Sequence, residues 1–197
     1  MLILASSSPR RARILTELGI PFLVDPADVD ETLLAGESAD AAAARLAAAK
    51  AKAVALRRPA DWVLAADTLV LLGAEILGKP RDDAEAGAML RRLAGREHRV
   101  VTGVCLRRGT AVFETAASST VRFAPMSADE IAWYVGTGEP RDKAGAYGVQ
   151  GLGARYIESI AGSYTNVMGL PARDVYRLMT EAGSLPLALV SPAPSSP

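Results

Sequence analysis

Leu2-Ile3-Leu4-Ala5-Ser6-Ser7-Ser8-Pro9-Arg10-Arg11 passes from a short apolar run, through three hydroxyls and a proline, into two arginines. The apolar run reads as a buried strand. Proline fits the first helical position, where its missing N–H costs nothing, and Ser8 then stands at the N-cap. Ile14, Leu15 and Leu18 recur at helical spacing, and Gly19 suits the left-handed residue that closes such a helix. The chain therefore opens strand, serine-rich turn, helix. Unpaired helix N–H groups, hydroxyl donors and two guanidinium forks at Ser6, Ser8, Arg10 and Arg11 together suit phosphate oxygens. The competing reading is a capped helix with solvated arginines.

Working outward, Phe22-Leu23-Val24 reads as a second strand, followed by an acidic loop from Asp25 to Glu31. Ser38 to Leu56 is alanine-rich and free of Gly and Pro, which favours a long helix whose small face packs closely on a sheet. Trp62 to Ala66 and Leu69 to Leu72 flank Asp67-Thr68, and Gly73-Ala74 turns the chain into a hairpin ending at Glu75 to Pro80. Asp82 with Glu85, and Ser127 with Glu130, have capping-box spacing ahead of apolar helical stripes. Strands are expected at Val100 to Leu106, Ala111 to Phe123 and Tyr156 to Ile160, a glycine-dense loop at Gly136 to Gly153, and a closing helix from Pro171 to about Ala182. Strands interleaved with helices, with no repeat period, indicate an α/β fold: a twisted mixed sheet with flanking helices, and a cleft as the site.

The size supports one medium domain or two small, tightly joined lobes: 197 residues, half of them apolar. We expect a single domain over residues 1–184 and a disordered tail over 185–197, where Pro, Ser and Ala dominate. Twenty-two basic and 22 acidic residues cancel, and the pI is about 6.6. That balance argues against coating nucleic acid or a membrane surface, so any anion must meet a local cluster. No apolar run approaches the roughly 20 residues needed to span a bilayer, no basic leader precedes the first apolar residues, and the one cysteine, Cys105, lies in a Val/Leu-rich strand. A cytoplasmic address is the expectation.

The 22 cationic residues include only four lysines, Lys50, Lys52, Lys79 and Lys143. In a chain that otherwise uses arginine, an ammonium is a candidate point charge against phosphate, and Lys52 is the one that reads as plain surface. Asp67 falls between apolar segments, where an unpaired carboxylate would be costly, so it needs a partner or a task. It could serve as general base or hold a divalent ion, and a salt bridge to an arginine is the structural alternative. Asp30-Glu31 could add oxygen ligands for a hard cation. His98, the only histidine, and Cys105 read as structural residues.

These motifs resemble those of the Maf family of nucleoside triphosphate pyrophosphatases. The matching stretches are Leu4 to Arg11, Asp28 to Glu31, Arg45 to Ala51, Ala66-Asp67-Thr68, Ile76 to Pro80, His98 to Val104, Gly138 to Gly151, and Gly162 to Pro171. The block from Lys143 to Gly151 is highly specific.

The resemblance implies an α/β fold like that of the inosine triphosphate pyrophosphatases, with two lobes flanking a nucleotide cleft, and a homodimer. It implies hydrolysis of a nucleoside triphosphate to the monophosphate and pyrophosphate, with Asp67 as proton acceptor and a divalent cation, Mg²⁺ or Mn²⁺, organised by Glu31 and Asp67. Ser8, Arg11, Lys50, Lys79 and Lys143 become phosphate contacts. Arg10, Thr68 and Gln150 fall where the family selects its base, in the combination of the subgroup acting on dTTP, UTP and related pyrimidine nucleotides. The sister subgroup, similar to 7-methyl-GTP pyrophosphatases, carries an aromatic, Gln and Glu at those places. Gln150 offers both a donor and an acceptor, complementary to a pyrimidine N3–H flanked by carbonyls. The alternatives are 7-methyl-GTP hydrolysis and a nucleotide-binding regulator of septum formation.

Overall fold

The computed structural model describes residues 1–185, and the expected disordered tail lies outside the described residues from 186 onward. Its strands are β1 (Leu2–Leu4), β2 (Leu23–Val24), β3 (Trp62–Leu72), β4 (Glu75–Leu77), β5 (Glu97–Arg108), β6 (Ala111–Phe123) and β7 (Ile157–Ala161). The helices are α1 (Pro9–Glu17), α2 (Ala39–Arg57), α3 (Asp83–Leu93), α4 (Ala128–Gly136), α5 (Tyr164–Met168) and α6 (Ala172–Glu181). One sheet runs β2-β1-β3-β5-β6-β7, with β4 paired to β3. β1 is parallel to β2 and to β3, whereas β4, β5, β6 and β7 join by antiparallel pairing. The expected mixed α/β architecture is the one observed.

The two edges of β3 explain where the cleft opens. β5 covers one edge continuously from Val63 to Leu71. On the other edge β1 pairs with Trp62 to Leu64 and β4 with Val70 to Leu72, so neither strand is registered against residues 65–69. Asp67 and Thr68 lie in that gap. Because side chains alternate across a strand, they also point to opposite faces. Val63 and Ala65 pack with Ala47, Ala51 and Val54 of α2, which places Asp67 on the α2 face. Leu64 and Ala66 pack against α1 and α6, and Val70 packs with α3 and α4, which places Thr68 on the other face.

On that second face, two apolar clusters sit side by side: one joins β1, α1 and α6, the other joins α3, α4 and the glycine-dense loop. These are the two lobes. A polar seam divides them, because Thr102 stands between Val100 of one cluster and Val104 of the other, opposite Thr68 in the register. Asn166, fully buried on α5, closes the seam by donating from Nδ2 to the Val100 carbonyl (3.0 Å) and to Ser119 Oγ (2.9 Å).

Local chemistry departs from the expectations at several points. Ser8 occupies the N-cap of α1 without a side-chain cap bond; its N–H instead donates to Ser6 Oγ at 3.2 Å. Ser127 and Glu130 form the full reciprocal box. The Asp82 box is only half made: Asp82 accepts from the Glu85 N–H at 2.8 Å, but the Glu85 carboxylate is drawn to the Arg81 backbone N–H (2.7 Å) and guanidinium (2.9 Å). The glycine-dense segment winds through short 3-10 turns at Glu139–Asp142, Ala144–Ala146 and Gly151–Tyr156. The last of these takes Tyr156, so β7 starts one residue later than expected. The short helix α5 had no counterpart in the sequence reading.

Candidate active site

A cleft of about 590 Å³ opens over the unpaired stretch of β3. Ten residues singled out from sequence line it: Ser6, Ser8, Arg10, Arg11, Glu31, Lys50, Asp67, Thr68, Lys79 and Lys143. Gln150 does not. Its neighbours Tyr147, Gly148 and Val149 form the wall, and Gln150 follows them half-buried, outside the lining. The structure therefore does not bring the expected base-reading amide to the cleft surface.

Asp67 is 6 % exposed and Lys50 7 %. Lys50 Nζ donates to Asp67 Oδ1 at 2.6 Å and lies 2.7 Å from Glu31 Oε1. The partner of Asp67 is this lysine, not an arginine as in the structural alternative, and α2 delivers it from the face opposite Thr68. Two carboxylates thus converge on one cation, leaving the second Asp67 oxygen without a protein donor among the described residues. Burial works to raise the Glu31 carboxyl, but the Lys50 hydrogen bond and the charges of Lys50, Lys79 and Arg11 outweigh it and hold the group below its ordinary value. Lys52 is exposed, as expected.

Arg11 reaches across the other face. Its Nε donates to the Gly169 carbonyl (2.8 Å), one terminal nitrogen to Ser6 Oγ (3.0 Å) and the other to Thr68 Oγ1 (3.1 Å). Burial pushes this guanidinium below its ordinary value, with Asp67 and Glu31 opposing that shift and Arg10 adding to it. Thr102 Oγ1 donates to the Asn166 carbonyl at 3.1 Å, so the 3.0 Å contact between Thr102 and Thr68 has Thr68 as its donor. Thr68 consequently turns its proton away from the cleft. On the far rim, Asp142 lies 3.3 Å from an Arg10 terminal nitrogen and 2.6 Å from Lys143 Nζ, which also donates to the Glu139 carbonyl at 2.6 Å. The Asp142 carboxyl is held below its ordinary value: burial opposes the shift, and Lys143 and Arg10 prevail.

Sequence reasoning missed Asp142, Thr102 and Asn166. Asp142 stands between Arg141 and Lys143 and reads as one charge among several, and Thr102 sits in a valine run. Only the register shows that Thr102 faces Thr68.

His98 and Cys105 are placed as structural residues. His98 Nε2 meets the Tyr147 hydroxyl at 2.7 Å, its ring is packed edge-on to Phe123 and Tyr147, and burial pushes its pKa down to about 4. Burial, with the Glu114 carboxylate nearby, pushes the Cys105 thiol up to about 12.

For a divalent cation the donor set would be Glu31 and Asp67. Among the described residues no group of three or more His, Cys, Asp or Glu side chains is placed to hold a metal. Two carboxylates whose oxygens already meet at one cation do fit Mg²⁺ or Mn²⁺, since such ions are held by one or two carboxylates and complete their shell with water and substrate phosphates. Among the described residues, no helix is long and apolar enough to cross a membrane.

The fold is shared with solved structures of Ham1 proteins. A Staphylococcus aureus Ham1 protein superposes with a TM-score of 0.51 at 17 % identity, covering 92 % of this chain and 98 % of that one. A HAM1 protein from Coxiella burnetii gives 0.51 at 19 % identity, over 91 % and 98 %. In sequence, the chain is 52 % identical to a dTTP/UTP pyrophosphatase of Symbiobacterium thermophilum, over 92 % of this chain and 94 % of that protein. It is also 52 % identical to a dTTP/UTP pyrophosphatase of Myxococcus xanthus, over 95 % and 94 %. The family model described as Maf-like protein matches residues 1–182, and the chain belongs to the Maf family.

Proposed function

We propose that this protein is a nucleoside triphosphate pyrophosphatase that hydrolyses dTTP, UTP and related pyrimidine nucleotides to the monophosphate and pyrophosphate. The observation that carries the reading is the buried Asp67–Lys50 pair in a cleft also lined by Arg11, Lys79 and Lys143. The full-length likeness to dTTP/UTP pyrophosphatases supports the choice of base.

In this reading Lys50 holds one Asp67 oxygen and fixes the carboxylate, while the other oxygen takes the proton of the attacking water. Lys79 and Lys143, with the remaining N–H groups of Arg11, meet the phosphate oxygens on which charge accumulates. Ser8, released from helix capping, offers its hydroxyl to the same end of the substrate. Glu31 and Asp67 would hold a divalent cation, which when bound neutralises charge on the phosphates and favours departure of pyrophosphate. Arg10 and Thr68, in the cleft lining, and Gln150, directly after the wall at Tyr147 to Val149, select the base. A homodimer and a cytoplasmic address complete the reading; the buried free thiol supports the latter.

The test is incubation of the purified protein with dTTP, UTP or 7-methyl-GTP in Mg²⁺ or Mn²⁺, with products resolved. Pyrimidine monophosphate and pyrophosphate are expected. A preference for 7-methyl-GTP would overturn the base assignment, and the absence of turnover on every nucleotide would overturn the enzyme.

A further inference from the structure

Part of the cleft wall is made by the segment 143–149, whose Tyr147 and Val149 side chains are buried in the core. A second anchor, made of hydrogen bonds, lies behind it. Glu139 Oε1 accepts from the Tyr134 hydroxyl (2.8 Å) and from the Gly153 N–H (3.0 Å), and its Oε2 accepts from the Leu152 N–H (2.9 Å). The Tyr134 hydroxyl in turn accepts from the Gly148 N–H at 3.1 Å. Lys143 Nζ donates to the Glu139 backbone carbonyl at 2.6 Å. The Glu139 carboxylate therefore ties the wall glycine, through Tyr134, and the turn that follows Gln150, and by fixing residue 139 it also fixes the backbone carbonyl that receives Lys143.

The glycines confirm how tightly the segment is drawn onto this carboxylate. A Cβ on Gly151 would lie 2.7 Å from Glu139 Oε2, and one on Gly153 would lie 2.5 Å from the Tyr134 hydroxyl. A Cβ on Gly148 would meet the Gln150 carbonyl oxygen at 2.9 Å. Each is closer than side-chain carbons approach, so the loop backbone is moulded around the Glu139–Tyr134 pair. Tyr134 is fully buried on α4, which makes the pair a fixed post on a regular element. Glu139 itself does not line the cleft.

We propose that Glu139, seated on Tyr134, is a positioning residue that sets the phosphate contact of Lys143 and the base-side wall at Tyr147 to Gln150 together. The proposal rests on the pyrophosphatase reading and deepens it, because it makes nucleotide affinity and base selection depend on a residue that touches neither. A carboxylate suits the task where an amide does not. All three groups around it donate, and the NH₂ of a glutamine would face at least one N–H or O–H.

Steady-state kinetics on full-length protein test it, using dTTP and 7-methyl-GTP with Mg²⁺ and reading pyrophosphate. Glu139→Gln is expected to raise KM for dTTP about tenfold or more and to narrow the kcat/KM preference for dTTP, with kcat lowered by less than about threefold. Tyr134→Phe should move both readouts in the same direction by less, since it removes one acceptor and one donor but keeps the carboxylate. Glu139→Asp should recover part of the loss. Variants with lower melting temperature but wild-type KM and wild-type preference would overturn the proposal, as would Glu139→Asp behaving like Glu139→Gln. Should Glu139→Gln fail to fold, Tyr134→Phe carries the same test. Wild-type protein that releases no pyrophosphate from either nucleotide would instead sink the functional reading.

Discussion

Lys50 and Asp67 are each almost fully buried and bound to one another, so removing Lys50 leaves the Asp67 carboxylate without its cation in the wall of the cleft. Breaking such a pair from one side costs about 3–5 kcal/mol, far more than the roughly 0–1 kcal/mol of an exposed ion pair. Lys50→Met should therefore lower the free energy of unfolding in urea by several times the loss from Glu31→Gln, because Glu31 is exposed. Equal losses would mean that the Lys50–Asp67 pair contributes no more than a surface ion pair. On β5, opposite the residue that follows Asp67 on β3, Thr102→Val removes the acceptor that takes the Thr68 proton and leaves the Asn166 carbonyl one donor short. A loss of about 1–2 kcal/mol is expected in the same urea experiment. An unchanged midpoint would show that the polar seam contributes nothing.

Among the elements, α2 is the one that delivers Lys50, and it can do so because β5 carries no side chain beneath it at Gly103. A Cβ there would lie 2.4 Å from the Ala43 carbonyl carbon and oxygen, which are backbone and cannot rotate away. Gly103 is also the register partner of Asp67. Gly103→Ala should push α2 off the sheet, costing roughly 2 kcal/mol or more, and should carry Lys50, about two turns along the helix, away from its carboxylate. Thermal unfolding and pyrophosphate release should fall together; a wild-type rate in a destabilised variant would uncouple the helix seat from the site. This seat also shows what a single sequence reveals at the scale of elements. The alanine face of α2 is legible because its propensity and small residues point the same way. The five-residue α5 is not, since one turn and a half shows no period, although Ser163 caps it and Gly169 closes it. The early start of β5 at Glu97 is hidden for another reason: Glu97 and Arg99 are exposed while His98 between them is buried, so the strand begins as alternation before it becomes an apolar run.

Over the whole molecule, a chain of zero formal charge gathers Arg10, Arg11, Lys50, Lys79 and Lys143 around one cleft and balances them locally with Glu31, Asp67 and Asp142. All of these but Asp142 are legible in the sequence, the lysines because lysine is scarce and Asp67 because an acid interrupts an apolar run. Their arrangement is not, since it depends on β1 and β4 stopping short of each other along β3, and that is a matter of register. Global stability has its own titrating group. The folded pKa of His98 lies near 4 against an ordinary value of 6.5. Its contribution is thus present in full above about pH 6.5 and is lost as pH falls toward 4, a change on the order of 3 kcal/mol. Urea unfolding measured across that window should show the slope, and His98→Gln, which keeps an acceptor for Tyr147 but does not titrate, should flatten it. A slope unaltered by the substitution would place the titration elsewhere.

The most direct measurement is product stoichiometry from dTTP with Mg²⁺ for the wild type and for Asp67→Asn, with circular dichroism reporting the fold of each. One pyrophosphate per thymidine monophosphate from the wild type is expected, with a loss of at least about a hundredfold in rate for the folded variant. Orthophosphate as the released product, or wild-type turnover by Asp67→Asn, would contradict the assignment of this carboxylate to cleavage of the α–β anhydride.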